Sequence, residues 1–214
     1  MFNRLLTPCL GVAIMLAPVG VFSQPRPAIG ASCPVEYAAL PAHEQLKPLA
    51  DLLARGEGDY DSVNRGYAGD TPQGFAALTG KPMEQTTVRE IISMQRGWLY
   101  AVGRYQFVPS TLRYAVAMSS VDMEDKFTPD VQDRLMAALV LYKRPAIAAY
   151  LRNDHDYIGW ALDELAKEWA SVEYRNGRGY YDHIGGNRAH ITRTEAWEVL
   201  QTIKMAWQPA GLLP

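Results

Sequence analysis

The sequence predicts a mainly helical single domain with one loop-rich lobe near its start. Three observations carry this. Apolar residues recur at helical spacing through most of the chain. Capping signals stand ahead of several of those stretches. Glycine and proline concentrate in one early region, and glycine and tyrosine near 173–187. The 214 residues are 48% hydrophobic and 21% charged, which is enough to build one sizeable core.

The N-terminus reads as a leader rather than as part of that core. Arg4 gives a short positive region, and an apolar run follows from Cys9 to Phe22, broken by Pro18. Val21 and Ser23 suit a cut before Gln24, so residues 1–23 are expected to be a secretory signal peptide. An uncleaved anchor is disfavoured because the run is short for a membrane span. Residues 24–42, rich in proline and alanine, are expected to be a linker or irregular arm, and 43–214 the folded domain. Cys33 would then be the lone cysteine of the mature chain, which excludes an internal disulfide. Lipidation at Cys33 is disfavoured by its distance from the apolar run and by the missing aliphatic residue three places earlier. The expected location is the periplasm or the exterior.

From His43, the residues Leu46, Leu49, Ala50, Leu53 and Ala54 mark a helix, with Gly56 and Gly58 expected to stop it. Asp59 to Pro82 is glycine-rich and is expected to form loops with one small hairpin. Thr87-Val88-Arg89-Glu90 is a capping box ahead of a short helix through Met94. Gln95 to Phe107 reads as a tight, aromatic-rich connection. Ser110 starts a helix through Met118. Thr128-Pro129 places a cap and a proline ahead of a helix from Asp130 to Lys143, and Pro145 breaks or restarts it. Tyr157 to Val172 is the next expected helix, Glu173 to Asn187 a loop. Thr192-Arg193-Thr194-Glu195 is a second capping box, opening a last helix to about Trp207.

With 21 basic and 23 acidic residues the formal charge is -2, moving to -3 once Arg4 is removed. No basic block marks a nucleic-acid partner. His155, His183 and His190 lack metal-ligand spacing, so no metal is expected. No phosphate-binding glycine loop and no serine elbow is present, and no cofactor is expected.

Three clusters could carry chemistry. Glu57 stands at a helix C-terminus, where the helix dipole disfavours a carboxylate and so favours the protonated acid. Gly103-Arg104-Tyr105-Gln106 offers an aromatic ring for a sugar face, an amide that both donates and accepts, and a glycine permitting close approach. Trp169-Ala170-Ser171 is followed by Gly177-Arg178-Gly179-Tyr180-Tyr181, aromatics on a glycine-rich loop that could line a groove, although Trp169 suits a core equally well. Each cluster alone also fits an ordinary structural role: a surface glutamate at a frayed end, a loop packing its rings inward, a core tryptophan.

In this order, the clusters resemble the lambda-phage endolysin type within the lysozyme-like and lytic transglycosylase superfamily. Gly56-Glu57-Gly58 is similar to that type's Ser-Glu-Gly after an apolar helix. Gly103 to Gln106 matches its Gly-Arg-Tyr-Gln. Thr128-Pro129-Asp130-Val131-Gln132-Asp133 is similar to its Ser-Pro-x-x-Gln-Asp. Trp169-Ala170-Ser171 and Gly177-Arg178-Gly179-Tyr180 are similar to its Trp-Ala-Ser and Gly-x-Gly-Tyr. The resemblance runs from about Leu46 to Tyr181. It departs at Gly56, which replaces the serine, at 59–82, which does not align, and in the leader.

The resemblance implies a lysozyme-like α+β fold and cleavage of peptidoglycan glycan strands at the β-1,4 bond between N-acetylmuramic acid (MurNAc) and N-acetylglucosamine (GlcNAc). It implies Glu57 as the catalytic acid, with Gly103, Arg104, Tyr105, Gln106, Tyr180 and Tyr181 on the substrate. A transglycosylase giving 1,6-anhydro ends needs one carboxyl group, because the nucleophile is the substrate's own hydroxyl. A hydrolytic muramidase wants a second carboxylate, for which Asp59, Asp61 and Asp70 are nearby in sequence. A non-catalytic glycan-binding protein would keep the aromatic and amide residues without needing Glu57. An envelope-spanning machine or an inhibitor protein is a further expected kind of partner, with no residue to identify it.

Overall fold

The computed structural model describes residues 40–182 and 184–207. The leader, the arm up to residue 39, Cys33 and His183 lie outside the described residues. What is described is mainly helical, with two small two-stranded antiparallel sheets.

The first helical stretch is two helices, not one. Helix α1 spans Ala42–Gln45 and α2 spans Lys47–Glu57, with Leu46 between them. Pro48 sits in the first turn of α2, where its missing N–H has no partner to lose. Leu49, Ala50, Leu52 and Leu53 are buried along one face. Gly56 does not stop the helix; it lies inside the last turn, and Gly58, at φ 143°, ends it.

The region expected to be loops holds a short helix α3, Gly74–Thr79, that buries Phe75. Its strand β1, Val63–Asn64, does not close a local hairpin. It pairs antiparallel with β2, Ala101–Val102, bringing Val63 opposite Val102 and Asn64 opposite Ala101. Thr71 braces this strand by donating its hydroxyl to the Val63 carbonyl.

Helix α4, Val88–Met94, carries both halves of the expected capping box: Thr87 Oγ1 accepts from Glu90 N (3.1 Å), and Glu90 Oε2 accepts from Thr87 N (2.6 Å). Helix α5 spans Pro109–Ala117 and begins one residue before Ser110, because Pro109 takes its first position. Helix α6 spans Pro129–Ala138, capped by Thr128, and its continuation Leu139–Lys143 widens into one π-helical turn. Such turns re-aim side chains and often occur at functional sites; this one delivers Lys143. Pro145 restarts the chain as α7, Pro145–Leu151.

Helix α8, Ile158–Glu168, ends four residues before the expected Val172. Trp169 is extended (φ -118°, ψ 118°), which lets the chain turn back toward α2. The expected loop after it contains a hairpin, β3 (Glu173–Arg175) with β4 (Arg178–Gly179). Asn176 (φ 55°) and Gly177 (φ 73°) join the strands in the left-handed conformations that a two-residue hairpin turn requires. Helix α9, Arg193–Ala206, has the second complete capping box and packs on α2. Arg55 of α2 reaches Glu195 of that box at 2.7 Å. No helix among the described residues is long and apolar enough to cross a membrane.

Candidate active site

Where α2 ends against the chain leaving α8, a cleft of about 870 Å³ opens. It is bordered by the β1–β2 pair, the start of α5, the π turn and the loop before α9.

Glu57, the last residue of α2, lines it. Ser171 N–H donates to Glu57 Oε1 at 3.1 Å. The Ser171 hydroxyl faces the same carboxyl without forming a sound hydrogen bond. Burial pushes the Glu57 carboxyl above its ordinary range, and Ser171 and His190 pull it only partly back. The helix dipole acts in the same direction as burial. A carboxyl held toward its neutral form in a cleft can serve as a proton donor near neutral pH.

The approach of Ser171 depends on Gly56. A Cβ at Gly56 would overlap the Ser171 side chain, lying 2.6 Å from its Oγ. Ser171 is itself held from behind, its carbonyl accepting N–H groups of His190 (2.7 Å) and Ile191 (2.9 Å). The departure from Ser-Glu-Gly at Gly56 thus has a packing reason in this chain.

The second cluster divides. Gln106 lines the cleft. Its Oε1 accepts from Asn64 Nδ2 and its Nε2 donates to the Gly103 carbonyl, both at 2.9 Å. That leaves one N–H and one lone pair for a ligand. Its φ of 47° is uncommon for a residue with a side chain, and such strain gathers at binding sites. Tyr105 borders the cleft but is 2% exposed. Its ring lies edge-on to Phe107 and its hydroxyl donates to Asp133. Stacking of this ring on a sugar is therefore replaced by core packing.

Gly103 and Arg104 do not line the cleft. Gly103, at φ 73°, leaves room for the Gln132 amide, not for a ligand. Arg104 is held by Asp51 (2.7 Å) and the Tyr60 hydroxyl (2.6 Å), and its backbone N–H donates to Gln132 Oε1. The Gly-Arg-Tyr-Gln stretch is thus mostly an anchor that presents Gln106.

The third cluster divides too. Tyr181 lines the cleft and donates its hydroxyl to the Lys167 carbonyl at 2.8 Å. Tyr180 does not line it; it is 48% exposed and edge-on to Tyr174 and Tyr181. Trp169 borders the cleft but is 2% exposed and belongs to the core.

Other acids near Glu57 are committed elsewhere. Asp59 Oδ1 accepts from Asp61 N and the Ser62 hydroxyl. Asp61 Oδ2 accepts from Ala76 N, and Asp70 accepts from Arg65 N and Tyr67 N. None of the three lines the cleft. Glu168 does, but its side chain is 2% exposed and paired with Lys143 (2.7 Å) and Arg144 (2.6 Å).

Sequence reasoning assigned no role to Asn64, Ser171 or His190. Asn64 falls in the 59–82 region expected to be loops, and Ser171 in the Trp169-Ala170-Ser171 cluster. The signal missing for each was the partner it meets across the fold. Comparison of the chain with protein families, with curated proteins and with solved structures found no match.

Proposed function

We propose that this chain is an exported peptidoglycan-cleaving enzyme of the lytic transglycosylase kind, cutting the β-1,4 bond between MurNAc and GlcNAc. One observation carries the reading: a single carboxyl group, Glu57, is held toward its protonated form in a cleft whose one other lining acid among the described residues, Glu168, is paired with Lys143 and Arg144. A reaction needing one unpaired acid fits that inventory better than one needing two.

In the proposed reaction the Glu57 carboxyl gives its proton to the glycosidic oxygen as the bond to the muramic C1 breaks. The carboxylate then takes the proton of the muramic C6 hydroxyl, whose oxygen bonds to C1. The products are a 1,6-anhydro ring and a free 4-hydroxyl, and Glu57 is protonated again. Gln106 supports the placement of the sugar through its remaining donor and acceptor, which suit an N-acetyl group. The lysozyme-like arrangement suggested by the sequence remains part of this proposal.

Glycan strands digested with the full-length protein provide the test. Anhydro ends are the expected result. Reducing ends would make the protein a hydrolase, and binding without cleavage would make it a recognition module.

A further inference from the structure

The lining of the cleft is basic on balance. Lys143, Arg144, Lys167 and Arg188 border it, against Glu57 and Glu168 as the acidic residues of its lining. The chain as a whole carries more acid than base, 23 residues against 21. Positive charge is therefore concentrated where a ligand would lie.

This basic lining is built rather than incidental. Glu168, buried, holds Lys143 Nζ at 2.7 Å and Arg144 Nε at 2.6 Å. Glu164 holds Arg144 Nη1 at 2.9 Å and Lys167 Nζ at 2.8 Å. Three cations share two carboxylates, so one positive charge remains uncompensated in a braced network. Arg188 adds another. It is exposed and makes no hydrogen bond or ion pair among the described residues. A backbone of N-acetylhexosamines is neutral: its oxygens can accept hydrogen bonds from these cations but bring no negative charge to balance them.

We infer that this lining binds a carboxylate carried as a substituent on the glycan, so that the cleft selects anionic strands over neutral ones. The inference rests on the peptidoglycan reading above. Lysine and arginine form their strongest hydrogen bonds with such groups. Two parts of the strand could supply the carboxylate: the lactyl group of an unsubstituted muramic acid, or the stem peptide.

The test uses the full chain carrying Glu57→Gln, so that bound strands stay intact. Three probes are titrated: a neutral GlcNAc oligomer, strands stripped to the lactyl carboxylate, and strands keeping their stems. At least one carboxylate-bearing probe should bind about fivefold tighter than the neutral oligomer. Adding Arg188→Gln should cut that advantage by about three- to fivefold, and raising salt to about 1 M should shrink it as well. An advantage confined to stem-bearing strands assigns the stem as the source; one confined to stripped strands assigns the lactyl carboxylate, which an attached stem converts to an amide; one shared by both shows that either carboxylate is accepted. Equal affinity for all three probes, or equal weakening of all three by Arg188→Gln, would overturn the inference while leaving the glycan reading intact. Binding of none would remove the glycan reading and the inference with it.

Discussion

Replacing Glu57 with glutamine should abolish cleavage and stabilise the fold at neutral pH. The change keeps size and shape and removes the titratable proton. In the native protein the carboxylate form has one backbone donor, Ser171 N–H, and is half-buried in the cleft. An under-satisfied buried polar group costs about 1–3 kcal/mol, so the neutral amide should recover on the order of 1 kcal/mol. The sign follows from proton binding. The folded-state pKa lies above the ordinary value of 4.5, so above about that pH the native state holds the proton more tightly than the unfolded chain. Native stability therefore falls as pH rises through the raised pKa. The variant lacks that loss, and the two proteins converge in acid, where both states are protonated. Thermal unfolding should show the variant melting about 2–4 °C higher at pH 7, with the gap closing near pH 4. Turnover should drop on the order of 10²-fold or more. A variant that melts at or below wild type at pH 7, with no pH-dependent gap, would refute the claim that the cleft strains this carboxylate. Wild-type turnover would refute the catalytic assignment separately.

Gly56→Ala should push Ser171 off the end of α2, losing about 1–3 kcal/mol of stability and most activity, as measured by denaturant unfolding and strand digestion. Gln106→Ala should weaken binding of an uncleaved muropeptide oligomer by roughly 1–3 kcal/mol in titration calorimetry, with turnover falling too; unchanged affinity and activity would place this stretch outside the site. Glu195→Gln should destabilise the α9 start by about 0.5–1 kcal/mol at pH 7. Arg55 and the Thr192 cap hold the Glu195 carboxyl down at about 2. That contribution is present above the ordinary carboxylate pKa and is lost as pH falls toward 2, so urea titrations of the two proteins should converge in acid.

Local chemistry determined much of this protein before any coordinate was known. Both capping boxes, the Thr128-Pro129 start and the restart at Pro145 work through atoms a few residues apart, so the sequence carries them in full. The same is true of Glu57 at a helix end. The third dimension decided what lies far apart in the chain. β1 finds its partner some forty residues later, so no local turn signal announced the pairing. α8 stops at Glu168 because Trp169 is buried in an extended conformation, which no helical periodicity records. Tyr105 and Gln106 are neighbours with the same apparent promise, yet one ring is buried against Phe107 while the other residue adopts a left-handed φ and reaches the cleft. Glycines gave the least away: Gly56, placed as a terminator, is the space that Ser171 occupies, and Gly103 is the space left for Gln132. A glycine shows in sequence only that a side chain is missing; which neighbour fills the gap is set by packing between segments that meet only when the chain has folded.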